Sequence, residues 1–164
     1  MRLYYNEKWH SDVNAKPKLR TYKLFKENFA VENYLTLNLQ RQQRSLMAQL
    51  RCGILPLRIE TGRFRNIRDA QTGNYRKLKP EERLCQICNE NKIEDEFPFV
   101  CECAQYNHIR AVMFDKVNME NPNFIAMPNK DKFIYLLMYD VKNVCEFLSK
   151  AWDIRNSRLY TLSL

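Results

Sequence analysis

Residues 83–110 read RLCQICNENKIEDEFPFVCECAQYNHIR, and the folding of this stretch decides what kind of molecule the chain is. Cys85-Gln-Ile-Cys88 is a C-x-x-C pair, a spacing that lets one loop present two thiolates to a single ion. Cys101-Glu-Cys103 is a second close pair, separated from the first by residues 89–100. Zinc takes four soft or borderline donors at tetrahedral corners, so the spacing leads us to expect a structural zinc site built from Cys85, Cys88, Cys103 and one of Cys101 or His108. On a helix Cys101 and Cys103 would point about 200° apart, so both can ligate only if the backbone between them is not helical. The competing reading is that these cysteines are small buried hydrophobes beside a helix, as free cysteine often is. Cys52 and Cys145 have no partner spacing and read as core.

Working outward toward the C-terminus, Glu94, Asp95 and Glu96 can open a helix because acids in a first turn offset the dipole, and Pro98 is tolerated there. These acids read as a solvated turn. Tyr106, Ile109, Met113 and Val117 continue at helical spacing, residues 121–129 with two prolines form a loop, and residues 133–138 make a short buried helix. Val141, Val144, Leu148, Trp152 and Arg155 mark the clearest amphipathic helix, from about Asp140 to Leu159. Toward the N-terminus, Pro80-Glu81-Glu82 is a helix start and residues 63–83 a basic loop. ILPLRIETGRF, residues 54–64, reads as an extended connector. Leu39, Leu46, Met47 and Leu50 share a helix face capped by Gly53, and Leu19, Tyr22, Phe25 and Phe29 suggest another short helix.

The expected fold is therefore all-α: an N-terminal arm over residues 1–18 and a single helical domain over 19–164. The domain divides into a basic part (19–83), a cysteine-rich, zinc-knuckle-like loop (84–110) and C-terminal helices (111–164). With 164 residues, 45% of them hydrophobic, the chain can build one core without disulfides, and three glycines are too few for a sandwich of short strands. The N-terminal sequence lacks the apolar stretch of a secretory signal and residues 133–139, the longest apolar run, are too short for a bilayer. No membrane partner is expected, and the thiols should be reduced inside the cell, in nucleus or cytoplasm.

Residues 1–83 carry 18 basic and 8 acidic side chains, net +10, against 9 and 11, net −2, over residues 84–164. Such asymmetry points to a polyanion, and the candidate contacts are Arg63, Arg65, Arg68, Arg76, Lys77 and Lys79, interleaved with Phe64 and Tyr75. The cations would meet phosphates of RNA or DNA while an aromatic stacks on an unpaired base. The bland alternative puts Phe64 in the core and leaves the cations solvated. No paired-Asp tetrapeptide of the polymerase type and no phosphate-loop, nucleophile-elbow or H-E-x-x-H signature occurs, so no catalysis is expected. The rival class is a structural or protein-interaction module, which an exposed apolar stripe on the last helix would favour.

On these residues the sequence resembles the region that follows the polymerase domain in the reverse transcriptase-like proteins of non-LTR (LINE-type) retrotransposons. The resemblance rests on LRCGILPLRIETGRF (residues 50–64) and on residues 83–110, about a quarter of the chain; the matching positions are Arg83, Cys85, Cys88, Ile93 to Glu96, Cys103, Tyr106 and Arg110. Pro98 stands where the family's pattern carries its ligand histidine, and proline offers no donor. The resemblance implies a non-catalytic module that grips nucleic acid and works beside the polymerase part of a retroelement reverse transcriptase.

Overall fold

The computed structural model describes residues 2–162, with side chains from Leu3 onward; Met1, at the start of the expected arm, and Ser163 and Leu164, at the end of the expected domain, lie outside the described residues. The spine is a pair of packed helices, α2 (Arg41–Cys52) and α7 (Val141–Leu162). Leu46, Met47 and Leu50 recur at three- and four-residue steps, which puts them on one face of α2, and they bury against Val144, Cys145, Leu148 and Ala151 of α7. Each such side chain taken from water contributes about 1.5–3 kcal/mol, so packing rather than helix propensity decides these elements. The helix α2 starts with the Gln43 side chain accepting from the Gln40 N–H at 3.1 Å. It ends where Gly53 turns left-handed at φ 67°, and a Cβ there would stand 2.8 Å from the Lys18 carbonyl oxygen.

Around α7 lie α5 (Asn107–Glu120), which contributes Met113 and Val117, and α6 (Asn129–Tyr139), which contributes Phe133, Leu136 and Leu137. The short α4 (Glu96–Cys101) packs on α6, with Phe97 edge-on to Phe133 at 5.7 Å, and turns Phe99 toward Phe147 and Trp152 of α7. Three of the expected helices thus form close to their expected bounds because each carries a continuous apolar face.

Several expectations need correction. The arm is helical: α1 spans Arg2–Asn14, with Val13 buried and Trp9 edge-on to Tyr22 at 6.1 Å. The helix expected from Leu19 is instead a series of 3₁₀ turns, Pro17–Leu19, Tyr22–Leu24 and Asn33–Leu35. The cause is Arg51, buried on α2, around which this segment wraps: Phe25 lies 4.0 Å from its guanidinium, Tyr34 lies 5.5 Å away and Glu32 takes a hydrogen bond from it. Phe29, assigned to the same apolar stripe, is exposed.

The connector at 54–64 holds the single-turn α3 (Arg58–Thr61), and the basic loop is a short hairpin within a mostly helical domain. Strand β1 (Asn66–Arg68) pairs antiparallel with β2 (Tyr75–Lys77), with Ile67 opposite Arg76. Asp69 closes the turn by accepting from the N–H groups of Gln71 (3.1 Å) and Thr72 (2.9 Å).

Candidate functional site

The cysteine loop is laid out by backbone hydrogen bonds before any side chain is considered. Leu84 bridges Ile93 in antiparallel sense, the Cys85 N–H donates to Lys92 O (2.9 Å) and the Glu94 N–H donates to Arg83 O (3.0 Å). The chain reverses between these rungs with Asn91 left-handed at φ 53°, a conformation Asn tolerates well. Cys103 reaches the loop from the other side. It follows the C-terminal end of α4, its N–H donating to Pro98 O (2.8 Å), while buried Arg110 donates to Val100 O (2.8 Å) and Cys103 O (2.7 Å). Arg110 thereby satisfies carbonyls that the helix end leaves open and fixes the third cysteine.

The Sγ atoms of Cys85, Cys88 and Cys103 all lie within 4.8 Å of one another. Tetrahedral zinc–thiolate geometry places sulfurs about 3.8 Å apart, so a small contraction suffices and the three thiols can hold a metal ion. The donors are soft, which suits zinc over a hard cation. The Cys103 thiol donating to the Cys85 sulfur holds Cys85 down at about 6, and Cys103 is itself pushed up by that same bond and by burial.

Among the described residues, the convergent set is these three cysteines. Cys101 and His108, named from spacing as alternatives for a fourth donor, do not join it. Cys101 is the last residue of α4 and faces the packed interior, where burial pushes its thiol up to about 12. His108 lies in the first turn of α5 with its side chain in solvent. The helical backbone up to Cys101 turns its thiol away from Cys103, the geometric conflict that the C-x-C spacing had raised.

The acids between the two cysteine pairs are not a solvated turn. Glu94 and Glu96 are only 3% and 2% exposed, and each carboxylate is held by one arginine through both oxygens. Arg155 donates to Glu94 at 2.9 Å twice, and the Arg58 N–H adds a third bond at 2.7 Å. Arg20 holds Glu96 at 3.0 and 2.7 Å, and although Arg20 opposes it, burial still raises the pKa of Glu96. Sequence reasoning missed both pairs, because Arg20 and Arg155 lie far away along the chain; the placement of Arg155 on the apolar face of the last helix was the one available signal. Glu94 Oε1 also sits 3.9 Å from Cys85 Sγ, joining the buried pair to the thiol cluster.

Of the six candidate cations, the hairpin separates two from the rest. Arg76 is clamped by Asp69 (3.0 Å) and by both oxygens of Glu82 (2.6 and 2.5 Å), and Arg63 pairs with Glu60. Arg65, Arg68, Lys77 and Lys79 are exposed and enter no salt bridge among the described residues. Register puts Arg68 opposite Tyr75 and Asn66 opposite Lys77, so these four share one face of the ribbon. Phe64 is 75% exposed and Tyr75 77%, which removes the reading of Phe64 as core.

No protein family, no curated protein and no solved structure matches the chain. Its chemistry is read from its own residues. Among the described residues, no helix is long and apolar enough to cross a membrane.

Proposed function

We propose that the chain is a non-catalytic nucleic-acid-binding module whose cysteine loop is pinned by structural zinc, of the kind that follows the polymerase domain in LINE-type reverse transcriptase-like proteins. The observation that carries the binding role is the hairpin region, where four exposed cations that enter no salt bridge among the described residues accompany two exposed aromatic rings. Phosphates of a single strand meet Arg65, Arg68, Lys77 and Lys79 while bases stack on Tyr75 and Phe64. In the acidic run, Glu94 is committed to Arg155, Glu96 to Arg20, and Asp95 caps α4 by accepting from the Phe97 N–H, which supports a structural rather than a catalytic use of them. Against the protein-interaction reading, the apolar stripe of α7 from Val141 to Ala151 is buried in the core.

The test is fluorescence anisotropy of the full chain with labelled single-stranded RNA and DNA across a salt series. Four neutralised phosphates give a slope of log K against log salt of about −2.8. Replacing Arg65, Arg68, Lys77 and Lys79 together by alanine flattens that slope toward zero, and Tyr75→Ala weakens binding by about 1–3 kcal/mol without changing it. A slope already near zero in the unaltered chain rules the proposal out.

A further inference from the structure

The three thiols border a small cavity whose other walls include Pro98, Phe99 and Tyr106. Its volume is about 10 Å³, and a single water needs about 10–15 Å³ on the same measure. Tyr106 is 1% exposed, and its Oη has no hydrogen-bond partner although buried tyrosine hydroxyls almost always find one. The ring is locked in place edge-on to Phe99 (4.9 Å) and to Phe147 (6.3 Å), so the hydroxyl cannot swing out to solvent. Tyr106 shares the wall of that cavity with the thiols of Cys85, Cys88 and Cys103.

A thiolate-bound zinc needs a fourth donor. Glu94 is taken by Arg155 and the Arg58 N–H, Glu90 on the cavity wall pairs with Lys92 (3.4 Å) and stands outside the convergent set, Cys101 and His108 lie elsewhere, and the Pro98 side chain on that wall carries no donor. We infer that the fourth position is filled by one solvent-derived ligand that hydrogen-bonds to Tyr106 Oη, making this an open three-cysteine centre that exchanges small ligands. The inference rests on the metal reading of the preceding section. It accounts together for the orphan hydroxyl, the water-sized void and the carbon wall where a fourth side-chain donor would stand. Tyr106 is then a positioning residue, its hydroxyl orienting the exchangeable ligand without touching the metal.

Cobalt(II) bound to the full chain provides the readout. We expect one equivalent per chain with thiolate-to-cobalt absorption, and an electron paramagnetic resonance line that broadens in water enriched in oxygen-17. Pro98→His supplies a nitrogen donor from the cavity wall, abolishes the broadening and keeps the stoichiometry. Tyr106→Phe removes a hydroxyl that is unpartnered in the metal-free protein, so metal-free Tyr106→Phe melts no lower than its parent; once loaded, it loses cobalt to a chelator about 2- to 10-fold faster. An unbroadened line in the unaltered, loaded chain overturns the open centre while leaving the metal site standing. Loss rates equal in parent and Tyr106→Phe overturn the role of Tyr106. Failure to take up cobalt overturns the metal reading itself, and this inference with it.

Discussion

Arg155 is the side chain on which the acidic run depends. Its guanidinium and the Glu94 carboxylate are 6% and 4% exposed, so each is tolerated at that depth only because the other is present. Arg155→Met leaves the carboxylate with the Arg58 N–H as its one remaining close donor, and urea unfolding is expected to show a loss of about 3–5 kcal/mol. The double variant Glu94→Gln with Arg155→Met recovers much of that loss, because neither charge is then stranded. If the single variant loses under about 1 kcal/mol, the pair is not the anchor described here. At this scale the sequence was legible where partners are neighbours: Cys85 and Cys88 declare their convergence by spacing alone. It was silent where partners are distant, since nothing in Ile93-Glu94-Asp95-Glu96 indicates that two of its acids meet arginines 61 and 76 positions away.

Elements were legible in proportion to the length of their apolar faces. The helices α2, α5 and α7 bury several residues each at helical spacing and form near their expected bounds; α1 buries Val13 and carries no such stripe. The hairpin escaped because its strands are three residues long with one half-buried position apiece, too short for an alternating pattern to register. Charge reinforces its ladder of backbone hydrogen bonds. Hydrogen bonds from Thr72, Arg76 and Gln71 hold the Asp69 carboxyl at about 2, and Arg76 together with the Lys79 N–H does the same for Glu82. Both lie below the usual range near 4, so the folded hairpin favours the ionised forms and their contribution is fully present above pH 4 or so. It is lost as pH falls through about 2. Amide resonances of residues 66–77 should therefore hold their positions from pH 7 to pH 4 and collapse toward random-coil values near pH 2. Collapse already at pH 4 would mean that the clamp on Arg76 does not form.

Over the whole molecule, the α2–α7 spine and the cysteine loop draw on different forces. The spine is sealed by apolar contact, whereas the loop, though Cys88 and Cys103 border the same core and Glu94 is held by Arg155, rests otherwise on short rungs and three thiols. With zinc held as proposed, its removal by a chelator should lower the melting temperature, since binding free energy at such a site is folding free energy. Helical circular dichroism at 25 °C should persist, while the amide protons of Cys85 and Glu94 exchange much faster. An unchanged melting curve, or the same exchange rates with and without chelator, would show that the loop stands on packing alone.

The guanidinium of Arg83 reaches from the last residue before the cysteine loop to the Ile59 carbonyl (2.9 Å) and, through two nitrogens, to the Leu78 carbonyl (3.3 and 3.0 Å). Its methylenes fill the space over Gly62, where an added carbon would come within 2.8 Å of them. This strut makes the ribbon and the thiol loop one mechanical part. On the proposed binding role, tension applied to a strand held at the hairpin would pass through this strut toward the sulfurs, like load passing from a lever to its pivot.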